Sequence, residues 1–199
     1  MGRLAEERSG KVPLTGHSIA LAGNPNVGKS TLFNTLTGLR QHTGNWPGKT
    51  VATAQGKCRV GTETYWLTDL PGTYSLMSHS PEEQVARSYL CSGAAEAVVV
   101  VCDATCLERN LPLVRQILEI TPRVLVCVNL MDEARRKGIQ VALPLLSKQL
   151  GVPVVGITAR RRQCVQQVMT ALMQAVGMKT RSHGIVLSMP LSAAIGLAD

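Results

Sequence analysis

Residues 23–30 read Gly23-Asn24-Pro25-Asn26-Val27-Gly28-Lys29-Ser30 and fit the pattern GxxxxGK[ST] at every fixed position. That spacing is a chemical requirement. Glycines let the backbone fold so tightly that successive N–H groups point inward at phosphate oxygens, and a helix starting at the end of the turn adds the positive end of its dipole. Lys29 then reaches the β- and γ-phosphates. The Ser30 hydroxyl is placed to ligate Mg²⁺, and Thr31 completes the set. The flanks agree with this reading, because His17 to Ala22 reads as a short buried strand and Lys29 to Thr37 as a helix. In that helix Leu32, Phe33 and Leu36 share one face, and Gly38 supplies the stop.

Moving outward, Arg40 to Lys49 reads as a polar loop containing Gly44 and Gly48, and Val51 to Val60 with Glu63 to Asp69 flank Gly61 as a hairpin. Beyond it, Ala97 to Cys102, Val124 to Val128 and Val152 to Ile157 are short β-branched runs suited to strands buried on both faces. Helical spacing lies between and after them: Leu107, Leu111, Val114 and Leu118, then Val165, Val168, Leu172 and Val176. Strand alternating with helix predicts an α/β domain, a mostly parallel six-stranded sheet with helices on both faces. Residues 1–16 are read as an N-terminal tail, 17–176 as the packed domain, and 177–199 as a tail or truncated junction.

The remaining nucleotide contacts should come from strand ends. Asp69-Leu70-Pro71-Gly72 closes the hairpin's second strand, where the carboxylate would hold Mg²⁺ through water and the Gly72 N–H would meet the γ-phosphate. Asn129-Leu130-Met131-Asp132 follows a buried strand at the edge where ligands of such sheets bind. A carboxylate there accepts two N–H donors from guanine and leaves polar groups unpaired with adenine, although a helix cap would use the same residues. Thr158-Ala159-Arg160 falls where a loop would support the base from its other side, or is a plain strand-to-helix turn. The run Arg160 to Arg162 reads first as solvated surface, with an RNA or lipid contact as the alternative.

The chain has 199 residues and a net charge of +8, a balance that favours nucleotide phosphates, RNA or an acidic membrane surface. No segment reaches the roughly 20 apolar residues of a spanning helix; Ala94 to Cys102 is strand-sized and holds Glu96. The chain itself is therefore read as neither channel nor permease. Met1 to Leu14 carries no apolar stretch of signal-peptide length, so a cytoplasmic location is expected. The six cysteines form no CxxC pair and read as reduced core thiols. His17, His42, His79 and His183 are scattered, and no iron-ligand cluster is expected.

The order of these motifs resembles the translation-factor-related class of small GTPases, and Gly44-Asn45-Trp46-Pro47-Gly48-Lys49-Thr50-Val51 with Asp69-Leu70-Pro71-Gly72-Thr73-Tyr74-Ser75-Leu76 narrows it. These stretches are similar to those of the FeoB family of bacterial ferrous iron transport proteins, over roughly residues 18–176. The resemblance implies a P-loop NTPase fold of small-GTPase type, with GTP and GDP as ligands and Mg²⁺ as cofactor. It further implies that Thr50 is the first-switch threonine on Mg²⁺ and the γ-phosphate, with Gly48 beside it. Asn26 would coordinate K⁺ with backbone carbonyls near Asn45 and Trp46; a plain turn former would look the same. Lys29, Thr50 and Gly72 would carry catalysis.

Where Ras-like enzymes have a water-orienting glutamine this chain has Thr73, which implies slow intrinsic hydrolysis. Leu130 stands where many GTPases have lysine, implying a weaker grip on guanine. The implied location is the inner face of the membrane, with a membrane iron-permease domain or a separate permease chain as partner. Two further readings stand beside it: an RNA- or ribosome-associated assembly GTPase, and a GTP-binding interaction module that does not turn over. Aromatic residues are only 3% of the chain, so stacking platforms for RNA are scarce, and no DNA partner is expected. Oligomeric state is not encoded in any of these motifs.

Overall fold

A computed structural model of the chain describes residues 16–38, 41–45, 52–77, 80–161, 163–177 and 195–197. In chain order its elements are β1 (His17–Gly23), α1 (Lys29–Thr37), β2 (Gln41–Asn45), β3 (Ala52–Val60), β4 (Glu63–Asp69), α2 (Pro81–Cys91) and β5 (Ala97–Asp103). A 3₁₀ helix (Ala104–Arg109) leads into α3 (Leu111–Ile120). Then come β6 (Val124–Asn129), α4 (Met131–Arg136), β7 (Ile139–Val141), α5 (Leu143–Leu150), β8 (Val154–Gly156), α6 (Gln163–Gly177) and β9 (Ile195–Leu197).

The main sheet has the order β2-β3-β4-β1-β5-β6-β8. The pairs β4-β1, β1-β5, β5-β6 and β6-β8 are parallel, and the hairpin β2-β3-β4 is antiparallel. The six expected strands and the α/β class are thus present. The sheet gains a seventh strand, because Gln41–Asn45 lies within the stretch read as a polar loop and pairs with β3 from Gln41↔Gly56 to Asn45↔Ala52. The run Gln-His-Thr-Gly-Asn carries no apolar alternation, so periodicity could not reveal it.

The β-branched runs build two cores, one on each face. Along β5, Val98, Val100 and Cys102 pack with Ala86 and Tyr89 of α2, Val114 and Ile117 of α3 and Leu146 of α5. The alternate residues Ala97, Val99 and Val101 pack with Leu32, Phe33 and Leu36 of α1 and Val168 and Leu172 of α6. Side chains of a strand alternate between faces, so a strand covered on both sides is apolar throughout.

Leu107, Leu111, Val114 and Leu118 do share one core, but in two pieces. The 3₁₀ helix ends at Asn110, and Pro112 opens α3 in the first turn, where a missing N–H costs nothing. Helix α2 adds to the helices expected from apolar spacing, and Ser80-Pro81-Glu82-Glu83 signals it: the Ser80 side chain accepts from the Glu83 N–H, and two carboxylates sit in the first turn. The last packed helix ends at Gly177, one residue beyond the expected boundary. Within the expected tail, β9 pairs antiparallel with β7, Ile139↔Leu197 to Val141↔Ile195. Of the expected N-terminal tail only Gly16 falls among the described residues. No helix among the described residues is long and apolar enough to cross a membrane. Cys58, Cys102, Cys127 and Cys164 are buried free thiols, whereas Cys91 is exposed and Cys106 half-buried, so the core reading does not extend to those two.

Candidate functional site

The turn between β1 and α1 has the backbone its sequence demands. Gly28 takes φ 85°, and a Cβ there would stand 2.3 Å from Asn129 Nδ2. Gly23 has φ 155°, with the Val101 carbonyl 2.5 Å from where a Cβ would lie. Asn26, exposed at the tip, adopts φ 65°, a conformation asparagine tolerates better than most residues. Val27 tucks into the α1-side core. The turn borders a cleft of about 480 Å³ lined by Asn24, Pro25, Asn26, Gly28, Lys29, Ser30, Thr31 and Gly72.

Residues forty positions apart in sequence converge beside it. Lys29 Nζ forms a largely buried ion pair with Asp69 Oδ1, and Ser30 Oγ donates to Asp69 Oδ2 at 3.0 Å. The parallel pairing of β1 with β4 brings them together, with Leu21 opposite Asp69. A hydroxyl and a carboxylate side by side are the hard oxygen donors that suit Mg²⁺, so these residues fit that ion. Among the described residues no group of three or more His, Cys, Asp or Glu could hold a metal.

The segment after Asp69 is tied back onto the turn. Leu70 N–H donates to Leu21 O at 2.9 Å and Thr73 N–H to Gly23 O at 3.2 Å. A Cβ on Gly72 would come within 3.1 Å of Pro25 Cα, so the two segments approach more closely than a side chain fits without a small shift. The Thr73 hydroxyl donates to the Ser75 carbonyl and accepts from the Ser75 N–H, and is 3% exposed. Gln116 of α3, which no motif singled out, accepts from the Leu76 N–H at 2.7 Å. Asn24 donates to the Arg109 carbonyl at 3.0 Å, and the Arg109 guanidinium lies 5.8 Å from the centre of the Tyr74 ring. The 3₁₀ helix thereby touches both the phosphate turn and the segment after Asp69.

On the other flank Asn129, only 2% exposed, is a strap. Its Nδ2 donates to Val27 O at 2.9 Å and its Oδ1 accepts from Ala159 N–H at 2.9 Å. It joins the phosphate turn to the loop of Thr158, Ala159 and Arg160, and Thr35 of α1 adds a second tie by donating to Ala159 O at 2.8 Å. The expected NxxD pair therefore divides its labour. Asn129 ties the two loops together, while Asp132 lines a neighbouring pocket of about 240 Å³ with Met131, Thr158 and Arg161, and its Oδ2 accepts from Arg160. That hydrogen bond is the main cause holding the Asp132 carboxyl below its ordinary range. Leu130 between them has φ 62°, an uncommon backbone state that turns the chain from β6 into α4.

The expected site residues Gly48 and Thr50 lie outside the described residues, as do Trp46 and Arg162. His17 contributes nothing to the cleft: it pairs with Glu96 at 2.7 Å and stacks on Tyr65.

The sequence profile described as Ferrous iron transport protein B matches residues 17–172. The chain is 42% identical over 159 residues to the Fe(2+) transporter FeoB of Escherichia coli K12, an alignment covering 78% of the chain and 21% of that transporter. Among solved structures, the cytosolic domain of T. maritima FeoB in GDP form II aligns with a TM-score of 0.81 at 38% identity, over 86% of this chain and 68% of that one. The same domain in its GMPPNP form gives 0.79 at 38% identity, over 82% and 65%. The chain thus spans about a fifth of its curated relatives' length. Profile, identity and fold agree: the chain belongs to the FeoB family and holds that family's G domain.

Proposed function

We propose that the chain binds GTP and GDP with Mg²⁺, hydrolyses GTP slowly with stimulation by K⁺, and through that cycle regulates or energises ferrous iron transport at the cytoplasmic face of the membrane. The observation that carries this reading is the convergence of Lys29 and Ser30, at the end of a glycine-built turn, on Asp69. The GDP and GMPPNP forms of the T. maritima relative support a guanine nucleotide as ligand.

In this reading Asp69 neutralises Lys29 in the nucleotide-free chain. A triphosphate offers Lys29 a denser negative partner, so the ammonium moves to the β- and γ-phosphates and releases the carboxylate. Ser30, Asp69 and, by resemblance, Thr50 would hold Mg²⁺, which supplies charge neutralisation across the phosphates. Backbone N–H groups from Asn26 to Ser30 cradle the phosphate oxygens. Asn26 lines the same cleft, where its amide oxygen suits a monovalent cation. Asp132 reads guanine. The Thr73 hydroxyl is already committed to Ser75, so no side chain at that position orients water, consistent with a slow basal rate. The iron permease, as a further domain or a separate chain, would sense whether the segment from Gly72 to Met77 is held by the γ-phosphate.

The test is GTP turnover by the chain in KCl against NaCl at fixed Mg²⁺ and ionic strength, with Asn26→Ala and Lys29→Ala alongside. Faster turnover in K⁺ that vanishes in Asn26→Ala is expected. GTP binding with equal near-zero rates in both salts would leave a binding module only, and no GTP binding would overturn the proposal.

A further inference from the structure

Asp132 is only half used by the protein. Its Oδ2 accepts from Arg160 Nη2, while its Oδ1 is buried and meets no hydrogen-bond partner among the described residues. Guanine presents two parallel N–H groups that match both oxygens of a carboxylate at once, as a guanidinium also does. The two ligands therefore compete for one acceptor.

The backbone that carries Arg160 cannot step aside. Ala159 is 2% exposed, its N–H is held by Asn129 and its carbonyl by Thr35. The Arg160 side chain, in contrast, is 66% exposed and free to swing into solvent. Resting on the reading of this cleft as a guanine nucleotide site, we propose that Arg160 is a resident competitor for guanine at Asp132. Base recognition is then an exchange of donors rather than the filling of an open acceptor. Arg160 lowers the apparent affinity for guanine nucleotides by the fraction of time it holds Asp132, and it recaptures the carboxylate as the base departs. An adenine nucleotide, which offers Asp132 no matching donor pair, gains nothing when Arg160 is removed.

The experiment measures binding of ribose-labelled fluorescent GDP and ADP to the full chain, as wild type, Arg160→Gln, Arg160→Lys, Asp132→Ala and the Asp132→Ala/Arg160→Gln pair. Exposed ion pairs of this kind shift an equilibrium by a factor of about two to five. Arg160→Gln should therefore bind GDP more tightly by that factor while ADP binding stays where it was. Arg160→Lys, which keeps the charge but loses the planar fork, should fall between. In the Asp132→Ala background the Arg160 substitution should do nothing.

GDP binding by Arg160→Gln no tighter than wild type overturns the proposal. So does an equal gain for ADP, or a gain that survives Asp132→Ala, since either would mean that Arg160 acts on stacking or loop shape. If wild type binds GDP over ADP and Arg160→Gln brings no gain, this inference alone fails. If wild type shows no preference for GDP, the guanine reading falls with it.

Discussion

Replacing Asn129 by alanine should damage the fold before it damages any chemistry. The side chain makes two buried bonds of 2.9 Å, one to the Val27 carbonyl and one from the Ala159 N–H. Truncation leaves both backbone groups without that partner in a site 2% exposed. An orphaned buried polar group costs about 1–3 kcal/mol, and water entering the vacated space recovers part of it, so a loss of about 2–4 kcal/mol is expected. With a urea slope near 2 kcal/mol/M, the unfolding midpoint should fall by roughly 1–2 M.

Gly28 supplies the control. An alanine there meets φ 85°, worth about 1–2 kcal/mol of strain, and places its Cβ 2.3 Å from Asn129 Nδ2. That amide is pinned at both ends and cannot yield. In the Asn129→Ala background the collision disappears and only the backbone strain remains. The double substitution should therefore cost at least ~1 kcal/mol less than the sum of the two singles. Urea unfolding without nucleotide is the assay, because bound ligand would add its own stabilisation. Additivity within ~0.5 kcal/mol, or an Asn129→Ala chain as stable as wild type, would refute the strap.

Lys29→Ala should weaken GTP binding by at least about a hundredfold, since it removes a charge-assisted phosphate contact and leaves Asp69 facing the phosphates uncompensated; isothermal titration checks this. Tyr89→Phe should cost about 1 kcal/mol in urea unfolding, because the phenol donates to Thr68 Oγ1 at 3.0 Å in the core. Burial, reinforced by Asp103 and Cys106, pushes the Cys102 thiol up to about 12, so native chain treated with iodoacetamide near pH 8 should be alkylated at exposed Cys91 and spared at Cys102, read by peptide mass. The Asp132 carboxyl is held below its ordinary range chiefly by the Arg160 hydrogen bond. Its contribution to stability is complete above the ordinary carboxylate pKa and is lost as pH falls through the depressed one. Carboxyl-carbon NMR should show that midpoint moving upward in Arg160→Gln.

The parts of this protein written locally were legible in the chain. The tight turn at residues 23–30 is legible in eight residues because glycine φ and backbone N–H direction are set by near neighbours. The strands Ala97–Asp103 and Val124–Asn129 announced themselves because both of their faces are buried. Helix α2 is marked by a serine cap, a proline at its start and early carboxylates, although its apolar spacing is modest.

What tertiary structure decided is what joins distant residues. Sequence names Asn129 only as a nucleotide contact, and folding adds ties from its amide to Val27 and Ala159, 102 and 30 positions away. The motif names Lys29, Ser30 and Asp69 separately, and only the β1-β4 pairing sets all three at one point. Arg160 reads from sequence as base-supporting loop or as solvated surface, and only the fold sets it against Asp132. Gln41–Asn45 and Ile195–Leu197 became strands by finding β3 and β7, not through any period of their own. Periodicity in a sequence records which faces are buried, and hydrogen-bond partners chosen across the fold leave no such record.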